Sequence, residues 1–260
     1  MSLAFNPHIG VQLGFPILPE SGDKPHFDII RLWLETCNEE HSECRPPEEN
    51  TLPTRVIDVG SKDSPTVRLY KPSPGERGSY IALSHPWGSN DPETNPHFYT
   101  DVLNESLRKE GINLASLPNT FRDAVVTTRE LGQKYLWIDS VCIVQGRGGD
   151  FSTEATRMQQ YYSGAYCVIA ASRAKTQWSG FLHQRPGREV VTLQVDGVPV
   201  YICENIDNFN DHVIESELGK RGWVLQERAL ARRTIFFADR QTYWECGHGV
   251  RCETLTKMKK

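Results

Sequence analysis

Tyr80-Ile81-Ala82-Leu83-Ser84-His85-Pro86-Trp87-Gly88 decides how the chain is read. The run Tyr80 to Leu83 has the length of a short buried strand and breaks at once into a loop carrying a hydroxyl, an imidazole, an indole and a glycine. Downstream, short apolar runs alternate with helical patterns, the signal for βαβ units and a largely parallel sheet. Leu117-Pro118-Asn119-Thr120 supplies a stop and a cap for a helix whose stripe is Phe121, Ala124, Val125, Thr128 and Leu131, with Gly132 closing it. Tyr135 to Ile143 reads as the second core strand and Tyr166 to Ala171 as the next. Between them Ser152 or Thr153 caps a helix that turns Ala155, Met158, Gln159 and Tyr162 inward. Val190 to Val195 and Val198 to Ile202 flank Asp196-Gly197, a strong hairpin signal, and form an antiparallel insertion. Arg221 to Arg232 is helical in pattern, and Thr234 to Phe237 and Thr242 to Cys246 follow as strands.

Upstream the character changes, because ten of the sixteen prolines fall in the first 75 residues and favour extended connections. One helix interrupts them, with Ile30, Trp33, Leu34 and Cys37 on one face between Phe27 and Cys37, and Pro46-Pro47 prevents its continuation. Val56 to Val59 and Val67 to Tyr70 read as a leading hairpin. The expected organisation is an extension over residues 1–75 packed on a core over residues 76–260, forming a single structural domain. Of 260 residues 38% are apolar, and 33 acidic against 29 basic side chains leave a net charge of -4, which excludes the basic footprint of a nucleic-acid binder. The sequence has no apolar run of about 18 residues, and the opening MSLAFNPHIG has no secretory pattern. A cytoplasmic protein without a membrane partner is therefore expected, and its seven cysteines read as reduced thiols or metal ligands.

In an open α/β sheet ligands bind beyond the carboxyl ends of the strands, a rule that selects the Ser84 to Gly88 loop. The plainer alternative is a packed turn in which Trp87 fills a core gap. Asp139 lies within or just after an apolar strand and must be paired there, as a hydroxyl acceptor, an orienting carboxylate or a helix cap. Cys142 is either a nucleophile beside His85 or a small buried residue. Trp223 and Glu227 stand four residues apart, so on a helix an indole and a carboxylate share a face, an arrangement suited to a flat cationic ligand. The alternative is a solvated ion pair between Glu227 and Arg221, Arg228 or Arg232. Cys37, His41 and Cys44 near one end, and Cys246, His248 and Cys252 near the other, have the composition of zinc half-sites. Their spacing is not that of a common zinc finger and Cys37 also fits the apolar stripe, so no tightly bound cofactor is expected.

Five ordered blocks resemble the fungal heterokaryon-incompatibility (HET) domain. They are Leu52 to Asp58, Tyr80 to Gly88, Leu117 to Ala124, Tyr135 to Gln145 followed by Asp150, Glu154, Met158, Tyr162 and Ala165, and Arg221 to Arg228. The resemblance implies a module of fungal self/non-self recognition and programmed cell death. It also implies a distant likeness to TIR domains, hence a mostly parallel, flavodoxin-like sheet flanked by helices, here with an added N-terminal segment and antiparallel hairpins. On that likeness NAD is the substrate and Glu227 the catalytic acid. Ser84, His85, Trp87, Gly88, Asp139, Arg221 and Trp223 contact the nucleotide, and the protein forms a homo-oligomer when an activating protein partner engages it. Two further readings stand beside this one: a non-catalytic module acting by self-assembly, and a thiol hydrolase using Cys142, His85 and Asp139. The hairpin around Asp196-Gly197 departs from the compact TIR pattern.

Overall fold

The structure is a computed structural model that describes residues 15–45, 50–255 and 257–258; the Pro46-Pro47 stop and the opening ten residues lie outside them. In chain order the helices are α1 (Lys24–Glu40), α2 (Glu105–Glu110), α3 (Asn119–Glu130), α4 (Asp139–Cys142), α5 (Phe151–Ala155), α6 (Met158–Gly164) and α7 (Gly222–Leu230). The strands are β1 (Val56–Asp58), β2 (Thr66–Tyr70), β3 (Tyr80–Ser84), β4 (Thr100–Asp101), β5 (Ile112–Asn113), β6 (Tyr135–Ile138) and β7 (Val144–Gln145). After these come β8 (Cys167–Ala170), β9 (Val190–Val195), β10 (Val198–Cys203), β11 (Arg233–Phe237), β12 (Thr242–Cys246), β13 (Gly249–Cys252) and β14 (Lys257–Met258).

One mixed sheet of ten strands runs β14-β13-β12-β11-β8-β3-β6-β1-β2-β5. Only its middle, β6-β3-β8-β11, is parallel. Among the described residues the other six neighbouring pairs are antiparallel, which corrects the expectation of a mostly parallel sheet. The reason is connection length. Helical crossovers are long enough to return a strand parallel, whereas turns such as Ala238 to Gln241 and Gly247-His248 join only antiparallel neighbours. Within the parallel part β3 lies between β6 and β8, so the strand order reverses at β3, and the carboxyl ends on either side of such a reversal bound a natural crevice.

Burial follows from this layering. Every residue of β3, β8 and β11 is buried, which fits their apolar runs Tyr80 to Leu83, Cys167 to Ala170 and Ile235 to Phe237, while the buried polar ends Ser84, Arg233 and Thr234 need partners. Alternation along β11 sends Ile235 and Phe237 into the main core with Trp137, Phe121 and Trp244, and sends Phe236 into a second cluster with Val213, Tyr243 and Val250. The stripe of α1 lies buried as its spacing requires. The Asp196-Gly197 hairpin forms with both turn residues at positive φ, 51° and 78°, the geometry of a type I′ turn. It stands as a separate two-stranded sheet.

Three local expectations need correction. The strand expected to run to Ile143 stops at Ile138, because Asp139 bonds its own backbone neighbour, the Ser140 N–H, at 2.6 Å and turns the chain into α4. The helix expected across Ala155 to Tyr162 is two short ones, parting where buried Glu154 turns inward to accept hydrogen bonds from Thr54 and Tyr161. Asn119 begins α3 rather than capping it, since its side chain donates to the Trp178 carbonyl.

Candidate functional site

Ser84 ends β3, at the reversal of strand order, and α7 packs across that end of the sheet. The Ser84 hydroxyl donates to Glu227 Oε2 at 2.5 Å, so residues 143 positions apart meet. Glu227 is largely shielded from water, and burial raises its carboxyl pKa from the ordinary value to about 7. The Ser84 and Tyr162 hydroxyls pull it down and the charge of Asp139 pushes it further up. An acid so placed can take or give a proton at neutral pH.

None of the three arginines considered as partners for Glu227 bonds to it. Arg228 makes a two-pronged pair with Glu245, at 2.7 and 2.9 Å. Arg232 donates to the carbonyls of Ser163 and Glu43, and Arg221 to the carbonyl of His85 at 3.0 Å. The solvated ion pair is thereby corrected: none of the three arginines stands three or four residues from Glu227, the spacing at which side chains of a helix meet, and the sheet beneath α7 offers Arg228 the Glu245 carboxylate.

Glu227 opens into a cavity of about 600 Å³ lined also by His85, Trp87, Asp139, Tyr162 and Arg221. Apolar walls come from Ile143, Phe151, Met158 and Leu230. The volume falls within the range of small-molecule sites, roughly 300–1,000 Å³. Asp139 is held at the rim, its Oδ2 accepting from the Trp87 indole N–H at 3.1 Å. His85 stacks parallel to Trp87 and edge-on to Phe121, with Nδ1 3.8 Å from Asp139. Burial lowers its pKa to about 4 despite that carboxylate, so the ring is neutral, and its Nε2 is buried without a hydrogen-bond partner among the described residues. An unpaired buried imidazole nitrogen is uncommon, and this one belongs to a residue of the cavity wall.

The sequence-based candidates therefore separate. Ser84, His85, Trp87, Asp139, Arg221 and Glu227 converge. Gly88 does not reach the cavity: its φ is +74°, and a Cβ there would stand 2.6 Å from Asn95 Nδ2, so it serves the folding of the loop. Trp223 occupies the first turn of α7, and its side chain lies outside the described residues. Cys142 is buried, does not line the cavity, and has its thiol pushed up to about 12 by burial, which removes the nucleophile from the thiol-hydrolase reading. Sequence reasoning assigned Tyr162 to the core stripe and missed it as a site residue. Its wall position beside Glu227 comes from α6 meeting α7, a contact with no local signature.

The two cysteine-histidine half-sites meet only in part. Cys37, His41, Cys44 and Cys246 bring their ligand atoms within 4.8 Å of one another and could hold a metal ion. His248 instead stacks on His41 and bonds Glu43, and Cys252 turns away to Thr254 and Asp207.

No helix among the described residues is long and apolar enough to cross a membrane. No curated protein and no solved structure matches the chain. Residues 80–227 match the family model described as heterokaryon incompatibility protein (HET). The match opens on Tyr80, the first residue of β3, and closes on Glu227, so its limits coincide with the two elements that frame the cavity. With more than half of its 260 residues inside that match, the chain belongs to the heterokaryon incompatibility family.

Proposed function

We propose that the protein is a cytoplasmic cell-death effector of fungal self/non-self recognition, and that its cavity hydrolyses NAD at the bond between nicotinamide and ribose. The observation that carries this is the placement of Glu227: a carboxylate largely shielded from water, hydrogen-bonded to no arginine, opening on the same cavity as the His85-Trp87 loop. The TIR-like part of the reading draws support from the parallel strands. Taken in chain order β3, β6, β8 and β11 lie 2-1-3-4, the flavodoxin-like arrangement, with the cavity at the β3/β8 switch point.

The chemistry asks little of the protein. The bond from C1′ to nitrogen breaks with its electron pair passing to the pyridinium ring, which becomes neutral and departs without a proton donor. Glu227, ionised, stabilises the positive charge left on the ribosyl carbon and holds a ribose hydroxyl. Water then adds to C1′ and its proton passes to Glu227 or to solvent, leaving nicotinamide, ADP-ribose and one proton. Trp87 offers a ring for stacking, the His85 Nε2 a hydroxyl contact, and Arg221 a charge for the pyrophosphate.

Glu227→Gln decides the matter, with NAD followed by chromatography. Turnover should fall by about 10³-fold while the circular dichroism spectrum is kept. Undiminished turnover in the folded variant would remove Glu227 from the mechanism.

A second reading, a non-catalytic module that acts by self-assembly with its activating partner, draws support from the β9–β10 hairpin. Val191, Leu193, Val195, Val198, Val200, Tyr201 and Ile202 are all exposed there, an apolar surface unusual for an isolated chain. Purified protein that forms oligomers by light scattering yet never consumes NAD would favour this reading.

A further inference from the structure

Cys37 closes the buried stripe of α1, His41 follows one turn later, Cys44 ends the turn Ser42–Cys44, and Cys246 ends β12 from the far side of the sequence. All four are buried. A tetrahedral zinc ion, with bonds of about 2.3 Å to sulfur and about 2.0 Å to nitrogen, separates its ligand atoms by roughly 3.5–4 Å. His41 Nδ1 already stands 3.6 Å from Cys246 Sγ, and the whole set fits inside 4.8 Å.

Two independent features fit a thiolate-rich metal centre. The first is the backbone turn that follows Cys246. The His248 N–H donates to Cys246 Sγ at 3.4 Å, and a Cβ on Gly247 would come within 3.3 Å of Cys44 Sγ, so the chain wraps closely over the sulfurs. The second is charge. Arg233 is 1% exposed, bonds the Tyr166 carbonyl and the Asn38 side chain, lies 4.3 Å from the centre of the Tyr166 ring, and has an Nη2 without a hydrogen-bond partner; among the described residues no carboxylate pairs with it. In the register of β11 against β12 it lies directly opposite Cys246, so the two side chains share a face. Zinc bound by three thiolates and a neutral imidazole carries one net negative charge. The guanidinium beside it offsets that charge, whereas without the centre Arg233 would be a buried cation with no counter-charge, a costly arrangement.

We infer that Cys37, His41, Cys44 and Cys246 form a closed, structural zinc site that fastens α1 to the end of β12. With all four positions filled by buried protein ligands no coordination position is left for a substrate. His248 stacks on His41 and bonds Glu43 at the edge of the site, within 4.8 Å of the Cys44 sulfur, and the four buried ligands fill the tetrahedron ahead of this exposed ring. A neighbouring cavity, lined by Cys44, Cys246, Leu225 and Ala229, places the centre close behind α7, the helix that carries Glu227.

The full chain, purified without chelators and analysed by inductively coupled plasma mass spectrometry, should carry about one zinc ion per molecule. Cobalt loaded after chelator treatment should show thiolate charge-transfer and tetrahedral d–d bands, and metal removal should lower Tm by roughly 10 °C. Cys37→Ser and Cys246→Ser should lose the cobalt spectrum, while Cys252→Ser and His248→Ala keep it. Should the ligand variants fail to fold, metal content of the native chain and of Cys252→Ser still decides. Native protein that holds no zinc and, once reduced, takes up neither zinc nor cobalt overturns the assignment, as does a Cys252→Ser variant that loses its metal.

Discussion

Two glutamates shielded from water, one fully buried and one at a cavity wall, have opposite surroundings. Glu253 is fully buried and saturated: Arg185 bonds both its oxygens, the Thr242 N–H donates to it at 2.5 Å, and His26 stands 3.4 Å away. Glu227 is hydrogen-bonded by hydroxyls and by no cation, feels the charges of Asp139 and Arg221 across the cavity, and has that cavity in front of it. Burial costs both carboxylates their hydration. At Glu253 a bidentate guanidinium returns it, whereas at Glu227 the deficit stays as a raised pKa. A saturated buried acid holds a fold together, and an unsaturated one facing a cavity is available for chemistry.

The largest effect that sharpens this contrast is expected at Glu253. Glu253→Gln leaves Arg185 buried without its counter-charge and should cost about 3–5 kcal/mol in urea unfolding. A loss below about 1 kcal/mol would mean that Arg185 is not held as described. Next is Ser84→Ala. Removing that hydroxyl withdraws a bond that favours the ionised carboxylate, so the Glu227 pKa rises above about 7. Because the proposed reaction needs ionised Glu227, NAD turnover should rise with pH through about 7 in the native protein. In Ser84→Ala that limb should move to higher pH, with about a tenfold loss at pH 7. A pH profile that the substitution does not move would separate Ser84 from Glu227.

A further test concerns stability at Glu227 itself. Its folded pKa, about 7, lies above the ordinary value of 4.5, so the stability it lends is complete below pH 4.5 and is lost as pH rises to 7. Glu227→Gln should therefore match the native protein near pH 4.5 and exceed it by about 3 kcal/mol at pH 8. Equal stability at both pH values would indicate a carboxylate better solvated than its burial implies. Gain of stability with loss of turnover in one variant would mark Glu227 as a functional residue, and Glu253 offers the control.

Much of the architecture could be read one element at a time. The β3 run, the α1 stripe and the Asp196-Gly197 turn each announce themselves, because strand length, helical spacing and positive-φ residues are local properties. The site was half legible. Ser84, His85 and Trp87 stood out by their density after a strand, and Glu227 by its place on a patterned helix. Asp139 was expected in or just beyond a strand and proved to begin a helical turn. The partner of Arg228 could not be read, because Glu245 lies seventeen residues on, across a strand connection.

The sequence alone determined the main strands and helices, the βαβ alternation and the kinship, since these rest on short-range pattern and composition. Tertiary structure alone decided that only four strands run parallel, that Glu227 escapes its arginines to face Ser84, and that Cys246 rather than Cys252 joins Cys37, His41 and Cys44. Sequence spacing does not say which carboxylate each arginine meets, and nothing local distinguishes one thiol from another. Which pairs form is settled where the chain folds back, by which contact leaves the fewest buried charges and hydrogen-bonding groups uncompensated.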